Sequence, residues 1–205
     1  MTGKGYFITF EGGEGVGKTT QLPIVAERIR SLGRDVVMTR EPGGTELGER
    51  LRATILKADV GAQSPMTQAL LFNAARSHHI DTVIRPALSA GRVVLCDRFA
   101  DTTFAYQGYA HGLGIERMEE LHRIAFGGMM PDLTVLFDVP EDAAYGTLTE
   151  MNVFEREGSD WLKKGLFGFR ELAGRYPARY RVINARGTIP EVTGRIMEIV
   201  EAALR

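Results

Sequence analysis

Short apolar runs alternate along the chain with longer segments whose hydrophobic residues recur at helical spacing. The short runs predict five strands, over residues 6–10, 36–39, 93–96, 133–137 and 182–183. The longer segments predict helices over residues 18–32, 45–56, 64–89, 115–127, 159–173 and 190–204. The run Val93–Cys96 is apolar at every position, which is typical of a parallel strand covered by helices on both faces.

This alternation of strands and helices predicts an α/β fold, with a doubly wound, five-stranded parallel sheet and helices on both faces. In such folds ligands bind at the carboxyl ends of the strands. The chain has no internal repeat and no linker rich in proline, glycine or serine. We therefore expect residues 1–205 to form a single domain.

Composition and charge narrow the possible functions. The 25 Lys+Arg and 26 Asp+Glu residues give a net charge of −1, so no bulk field attracts nucleic acid or an anionic membrane. The 44% of hydrophobic residues is enough for a sizeable core. Cys96 is the only cysteine, and no hydrophobic run reaches the length of a membrane span. We expect a cytoplasmic protein that binds neither nucleic acid nor membranes.

The most specific motif is GGEGVGKT at residues 12–19, which fits the pattern GxxxxGK[ST] and lies between the first predicted strand and helix. Its glycines let backbone N–H groups converge on phosphate oxygens, Lys18 reaches the β- and γ-phosphates, and the Thr19 hydroxyl joins a Mg²⁺ shell. The alternative is a glycine-rich turn with a surface lysine. The motif predicts a nucleoside triphosphate site formed by Gly12, Gly13, Glu14, Gly15, Val16, Gly17, Lys18, Thr19 and Thr20.

The end of the third predicted strand carries a second candidate group, Asp97 and Arg98. Asp97 is suited to a Mg²⁺ shell and Arg98 to a bidentate clamp on an acceptor phosphate. The alternative is an ion pair that only caps the strand. No asparagine in the chain is followed by lysine, so the Asn-Lys-x-Asp motif with which GTPases recognise guanine is missing. This disfavours a GTPase.

Other candidates allow a structural and a functional interpretation. Phe72 and Arg76 are four residues apart in a predicted helix, so they share a face that suits either a planar base or core packing. The turn around Pro42, in TREPGGT, has a purely structural alternative. The four histidines show no metal-ligand spacing, which favours core or solvated side chains.

Five separated motifs, in order and in register, together resemble bacterial thymidylate kinases. They are EGGEGVGKTT at 11–20, TREPGGT at 39–45, FNAAR at 72–76, DRF at 97–99 and TTFAYQG at 102–108. The match extends from Phe7 to about Ala185. The resemblance implies a homodimeric, Mg²⁺-dependent P-loop kinase that transfers the γ-phosphate of ATP to dTMP, giving ADP and dTDP.

The resemblance also implies a role for each matching residue. Lys18 corresponds to the group on the ATP phosphates, and Thr19 and Asp97 to the groups near the metal. Glu14 corresponds to a carboxylate near the 3′-hydroxyl of the acceptor, and Arg98 to the clamp on its phosphate.

For the thymidine moiety, the resemblance assigns Phe72 to stacking on the base and Arg76 to hydrogen bonding with it. Thr103 corresponds to a residue that recognises the edge of the pyrimidine. Tyr106 corresponds to an aromatic residue whose ring packs against the sugar and disfavours a 2′-hydroxyl. The expected acceptor site comprises Glu14, Pro42, Phe72, Arg76, Arg98, Thr103, Tyr106 and Gln107.

The expected lid, at about residues 141–158, departs from the family pattern. Family members with an acidic residue at the position of Glu14 carry several lid arginines, whereas residues 141–157 contain only Arg156. An arginine that meets transition-state charge contributes roughly 10³–10⁵ in rate. Three interpretations stay open: Arg156 is the catalytic lid cation after a shift in register, Lys163 or Lys164 substitutes for it less effectively, or catalysis is weak. Arg156 is the candidate catalytic residue, and we expect low turnover with acceptor binding retained.

Two other functions stay open at this stage. A related P-loop kinase for another deoxynucleotide or a deoxynucleoside would share the phosphate loop, although a deoxynucleoside kinase would not need Arg98. A nucleotide-binding regulatory protein with a degenerate lid would keep the pocket and show little catalysis.

Overall fold

The computed structural model describes residues 4–56, 63–139 and 159–205. Five strands lie in these ranges: β1 (Tyr6–Gly12), β2 (Val36–Arg40), β3 (Val93–Asp97), β4 (Leu133–Asp138) and β5 (Tyr180–Asn184). The α-helices there are α1 (Lys18–Ser31), α2 (Glu46–Leu56), α3 (Pro65–His79), α4 (Arg85–Ser89), α5 (Ala100–Thr103), α6 (Ile115–Phe126), α7 (Ser159–Arg175) and α8 (Ile189–Leu204). The predicted α/β class is confirmed.

The strands form one sheet in the order β2-β3-β1-β4-β5, and every neighbouring pair is parallel. β1 and β3 are adjacent, and Phe10, near the carboxyl end of β1, lies opposite Asp97, the last residue of β3. The loop that follows β1 and the loop that follows β3 therefore leave the sheet side by side. This placement brings the glycine-rich motif next to Asp97 and Arg98.

Alternate residues of the central strands feed two separate cores, one on each face of the sheet. Phe7, Val94 and Cys96 belong to the core that is closed by α3, α6 and α7. Ile8 and Leu95 belong to the core that is closed by α1 and α8. Because side chains alternate along a strand, a strand buried on both faces is apolar at nearly every position. This explains the continuous apolar runs in the sequence.

The predicted helix over residues 64–89 is continuous in space but not uniform. Ser64 caps α3 by accepting the backbone N–H of Thr67 at 3.1 Å, and Pro65 opens the helix. A π-helical stretch, Ile80–Ile84, then connects α3 to α4. Pro86 has no N–H for the helical ladder, so the regular α pattern cannot pass through this point unchanged.

The segment from residue 100 to residue 110 is helical, and the sequence pattern did not predict a helix there. It comprises α5 and a π-helical stretch, Phe104–Ala110. Threonines at 102 and 103 and Gly108 are weak helix formers, and a π-helix breaks the 3.6-residue period. No helix in the described parts of the chain is long and apolar enough to cross a membrane.

Candidate active site

The glycine-rich motif forms a loop between β1 and the first turn of α1. Gly12 has a φ of 137°, and a Cβ there would stand 2.6 Å from the carbonyl oxygen of Phe137. Gly17 has a φ of 93° and lies immediately before α1. Both conformations require glycine, and they turn backbone N–H groups toward the amino end of α1. This arrangement suits an anion such as a phosphate chain.

Lys18 is buried beneath this loop. Its Nζ donates hydrogen bonds to the carbonyl oxygens of Gly12, at 3.2 Å, and Gly13. Burial lowers the pKa of Lys18 to about 8. Among the described residues, the hydrogen bonds of the ammonium group go to carbonyl oxygens, and a phosphate at the loop would be a much stronger partner.

Thr19 and Asp97 meet where the two loops leave the sheet. The Thr19 hydroxyl donates to Oδ2 of Asp97 at 3.0 Å. Oδ1 of Asp97 is buried and has no hydrogen-bond partner among the residues that the structure describes. A hydroxyl beside a carboxylate with an unsatisfied oxygen is a suitable donor set for Mg²⁺, which prefers oxygen ligands and completes its shell with water and phosphate.

Arg98 lies beside the glycine-rich loop and has an unusual backbone conformation. Its φ of 67° is the only positive value for a residue other than glycine in the described ranges. Nη2 donates to Oε1 of Glu14 at 2.7 Å, and Nη1 donates to the Thr102 hydroxyl at 3.2 Å. The charge of Arg98 lowers the pKa of Glu14. The guanidinium is thus oriented by the protein before any ligand binds.

Glu11 anchors the loop that carries Arg98, and the sequence analysis did not single it out. Its carboxylate accepts the backbone N–H of Phe99 at 2.7 Å and the Thr102 hydroxyl at 2.6 Å. Burial, with a further contribution from nearby Asp101, raises the pKa of Glu11 to about 8. The sequence places Glu11 at the end of an apolar strand and at the start of the motif EGGEGVGKTT, and these were the signals available for it.

Arg76 and Phe72 lie on the face of α3 that borders the cleft. Arg76 is only 2% exposed and donates to Glu41 Oε2 at 2.7 Å, Asn73 Oδ1 at 3.0 Å and Thr103 Oγ1 at 3.1 Å. Phe72 is 8% exposed. Both side chains therefore pack in the protein and also line the cleft, and their assignment to base binding stays a prediction.

A buried chain of polar side chains supports Arg76 from behind. Glu41 accepts from Arg76 through one oxygen and contacts His79 Nδ1 through the other, at 2.9 Å. His79 Nε2 lies 2.6 Å from the Thr39 hydroxyl. Glu41 and His79 were missed as parts of the site. Their contact joins residues far apart in the sequence, and local spacing carries no signal for it.

The π-helical stretch Phe104–Ala110 contributes two residues to the wall of the cleft. Tyr106 and Gln107 are buried and line the cleft together with Thr103. Nε2 of Gln107 donates to Gln68 Oε1 at 3.1 Å. Oε1 of Gln107 is buried without a hydrogen-bond partner in the described part of the chain, so it is available to a ligand donor.

Arg52 and Trp161 also line the cleft, and the sequence analysis did not select either of them. Nη1 of Arg52 donates to the carbonyl oxygen of Pro42 at 3.0 Å, and burial lowers its pKa. The arginine lies in α2, which the turn around Pro42 brings back toward Glu14. Arg52 therefore adds a second guanidinium close to Arg98.

One cleft of about 370 Å³ joins the two groups of predicted residues. Its lining includes most of the candidates, namely Glu14, Gly15, Val16, Gly17, Lys18, Thr19, Thr20, Pro42, Phe72, Arg76, Asp97, Arg98, Thr103, Tyr106 and Gln107. Gly12 and Gly13 do not line it, and their carbonyl oxygens accept hydrogen bonds from Lys18. Arg156 and the expected lid at 141–158 lie outside the described residues, so the expectations for them stay predictions.

A glycine-rich phosphate loop that faces a second basic pocket across the edge of a parallel sheet defines a P-loop phosphotransferase. The family model for thymidylate kinase matches residues 10–196. The chain belongs to the thymidylate kinase family and is a nucleoside monophosphate kinase.

Relatives and a solved structure agree with this assignment. A thymidylate kinase from a Synechococcus strain is 44% identical over 198 residues, which cover 97% of this chain and 95% of that protein. The thymidylate kinase of Bacillus licheniformis is 41% identical over 207 residues, covering 98% and 97% of the two chains. The crystal structure of thymidylate kinase from Ehrlichia chaffeensis aligns with a TM-score of 0.81 and 31% identity, covering 96% of this chain and 98% of the other.

Proposed function

We propose that this kinase transfers the γ-phosphate of ATP to dTMP, giving ADP and dTDP, within a single domain. One observation carries the proposal at residue level. The buried Lys18 of the phosphate loop and the preoriented Arg98 line the same cleft, which continues to Phe72 and Arg76. A donor and an acceptor phosphate bound at these two cations meet end to end.

On the donor side, the loop amides from Gly15 to Thr20 bind the phosphates of ATP and Lys18 neutralises them. Thr19 and Asp97 hold Mg²⁺, an assignment supported by the unsatisfied Oδ1 of Asp97. The metal supplies charge neutralisation on the donor phosphates. Phosphoryl transfer needs little covalent help, so positioning and electrostatic stabilisation account for the catalysis.

On the acceptor side, Arg98 and Arg52 bind the phosphate of dTMP. Arg98 is already fixed by Glu14 and Thr102, so little side-chain entropy is lost when the nucleotide binds. When the phosphate of dTMP replaces Glu14 as the hydrogen-bond partner of Arg98, the carboxylate of Glu14 becomes free to accept a hydrogen bond from the 3′-hydroxyl. Both arginines place positive charge where the acceptor oxygen approaches the γ-phosphate.

The base and the sugar bind deeper in the cleft. Phe72 stacks on thymine, and Arg76 and Thr103 hydrogen-bond its polar edge. The unsatisfied Oε1 of Gln107 provides an acceptor for an N–H of the base. Tyr106 packs against the sugar and leaves no room for a 2′-hydroxyl, which favours a deoxynucleotide.

We also propose that the protein is a homodimer that acts in the cytoplasm. The outer face of α3 supports the first proposal, because Leu70 is 51% exposed and is followed one turn later by the exposed Ala74. The buried thiol of Cys96 is consistent with a reducing compartment. Sedimentation velocity at micromolar concentration tests the dimer, and a single monomeric species would contradict it.

A coupled assay for ADP formation tests the reaction. With ATP and Mg²⁺, we expect turnover with dTMP and none with thymidine, which has no phosphate for Arg98. Turnover with thymidine instead would favour a deoxynucleoside kinase. Tight binding of dTMP without measurable ADP formation would favour the regulatory alternative, and either result would overturn the proposal.

A further inference from the structure

Helix α7 contacts the wall of the cleft through glycines. The ring of Tyr106 lies so close to Gly165 that a Cβ there would stand 2.2 Å from its Cε1 and 2.7 Å from its Cδ1. A Cβ on Gly168 would stand 2.8 Å from the carbonyl oxygen of Ala105. Both glycines lie within α7, so close approach to the π-helical stretch is what excludes a side chain at these positions.

The Tyr106 ring lies in a socket formed by three residues of one helix face, Trp161, Gly165 and Phe169, spaced four residues apart. The Trp161 ring is 4.7 Å from the Tyr106 ring, at 31°, and the Phe169 ring is 5.8 Å away, at 87°. Gly165 forms the floor between them. Tyr106 is 5% exposed, and it also lines the cleft.

We infer that Gly165 is a positioning residue for the acceptor site, because the depth of its socket sets how far the Tyr106 ring extends into the cleft. A side chain at 165 pushes the ring away from α7, since Trp161 and Phe169 close the other directions. The inference rests on the proposed function, in which the deoxyribose of dTMP lies against Tyr106. Gly165 thus controls the fit of the sugar without touching it.

Gly165→Ala tests this inference, with Gly174→Ala as its control. Both glycines lie in α7, but a Cβ on Gly174 has no heavy atom within 4 Å. Both variants gain helix propensity, and only the first displaces Tyr106. We expect the KM for dTMP to rise roughly 10-fold to 10²-fold in Gly165→Ala. The KM for ATP in Gly165→Ala is expected to stay within about 2-fold of wild type. In Gly174→Ala, the KM for dTMP and the KM for ATP are both expected to stay within about 2-fold of wild type.

A double-mutant cycle separates positioning from a general structural effect. Tyr106→Leu removes the ring that Gly165 positions, so adding Gly165→Ala to it is expected to change the KM for dTMP no further. If Gly165→Ala fails to fold, Tyr106→Leu/Gly165→Ala is expected to fold, because the smaller side chain leaves room for the new methyl group. Additive effects on the KM, or a double variant that also fails to fold, would overturn the inference.

Trp161 is the only tryptophan in the chain and gives a readout that needs no turnover. Its emission is expected to shift in unliganded Gly165→Ala and not in Gly174→Ala, and titration of the emission with dTMP gives a weaker Kd for the first variant. A folded Gly165→Ala protein with unchanged emission, or with an unchanged Kd for dTMP, would overturn the inference. A wild-type protein that binds dTMP without phosphorylating it would instead contradict the proposed function alone.

Discussion

Arg98 combines a charge with a strained backbone. A φ of 67° costs a non-glycine residue about 1–2 kcal/mol, and such outliers persist where the surroundings fix them. Here the N–H of Arg98 donates to Phe10 at 2.9 Å, and its carbonyl oxygen lies 3.0 Å from Cys96 Sγ. This conformation directs the guanidinium into the cleft, toward Glu14 and Thr102.

Arg98→Lys tests the importance of the planar guanidinium. Lysine keeps the charge, but its ammonium group lacks the planar set of N–H donors with which a guanidinium hydrogen-bonds Thr102, Glu14 and a phosphate at the same time. We expect kcat/KM for dTMP to fall by at least about 10²-fold, while the KM for ATP stays within about 2-fold. Arg123→Lys on the exposed face of α6 is the matched control and leaves both values unchanged. Steady-state kinetics in which the two variants behave alike would contradict the clamp.

From the lowered pKa of Lys18, we predict that the protein takes up protons when ATP binds. Near pH 8 about half of the free protein carries a neutral Lys18, because its pKa is about 8. Triphosphate favours the charged form and raises this pKa, so binding at pH 8 takes up about half a proton per site. Calorimetry in buffers of different ionisation enthalpy measures the uptake, and Lys18→Met serves as the control without it. Proton release, or equal uptake by both proteins, would contradict the assignment.

The sequence predicted those residues whose chemistry depends on local spacing. The phosphate loop and the pair Asp97 and Arg98 lie in contiguous motifs at strand ends, and both line the cleft. The support of Arg76 by Glu41 and His79 was not predictable in this way. That contact depends on the packing of α3 against the end of β2, across 35 and 38 residues of sequence.

At the scale of elements, Glu11 ties the end of β1 to the loop after β3 and to the start of α5. The Thr102 hydroxyl donates to Glu11 and accepts from Arg98. Glu11 therefore helps to hold the Arg98 guanidinium in place through the side chain of Thr102. The neighbouring carboxylate of Asp101 pairs with both terminal nitrogens of Arg179 and holds α5 on the sheet. Thus the loop that carries Arg98 is fixed from two directions.

Glu11→Gln tests this anchor through the pH dependence of stability. The folded-state pKa of Glu11, about 8, lies above its ordinary value of 4.5, so folding favours the protonated acid. Its contribution is fully present below pH 4.5 and is lost as the pH rises to 8. Between pH 4.5 and 8, we therefore expect the unfolding free energy of wild type to fall relative to that of Glu11→Gln, by up to about 1.4 kcal/mol per pH unit. Above pH 8, we expect the difference between the two proteins to stay constant.

Urea denaturation at several pH values measures this difference. Glu198→Gln, on the exposed side of α8, is the control for replacing a glutamate carboxyl group by an amide at an exposed position. Lys18 acts in another window, because its lowered pKa favours folding as the pH rises from 8 to 10.5. A flat difference for Glu11→Gln between pH 5 and 8 would show that the fold does not favour the protonated acid.

The sequence predicted the positions of the strands and the long helices, because their periodicities are strong. It did not predict helix over α5 and the stretch Phe104–Ala110. Thr102, Thr103 and Gly108 are weak helix formers, and tertiary packing against the glycines of α7 holds this segment in place. The same packing places Tyr106 and Gln107 in the cleft, so this part of the site depends on contacts that no local pattern carries.

At the scale of the whole molecule, the parallel sheet positions the two nucleotide subsites. β1 and β3 are adjacent, and the last residue of β3 lies opposite Phe10, two residues before the end of β1, so the phosphate loop and the Arg98 loop open into one cleft. Alternation of strands and helices was enough to predict the parallel sheet, whereas the order β2-β3-β1-β4-β5 depends on long-range packing. The low turnover expected from the arginine-poor lid stays a prediction, because residues 141–158 lie outside the described ranges.

The central claim is that donor and acceptor phosphates meet end to end in this cleft. Calorimetric titration with a dinucleotide that joins adenosine and thymidine through a chain of phosphates tests it most directly. We predict one dinucleotide per chain, competition with both ATP and dTMP, and weaker binding to Arg98→Lys. Competition with ATP alone, and equal affinity for wild type and Arg98→Lys, would contradict the account.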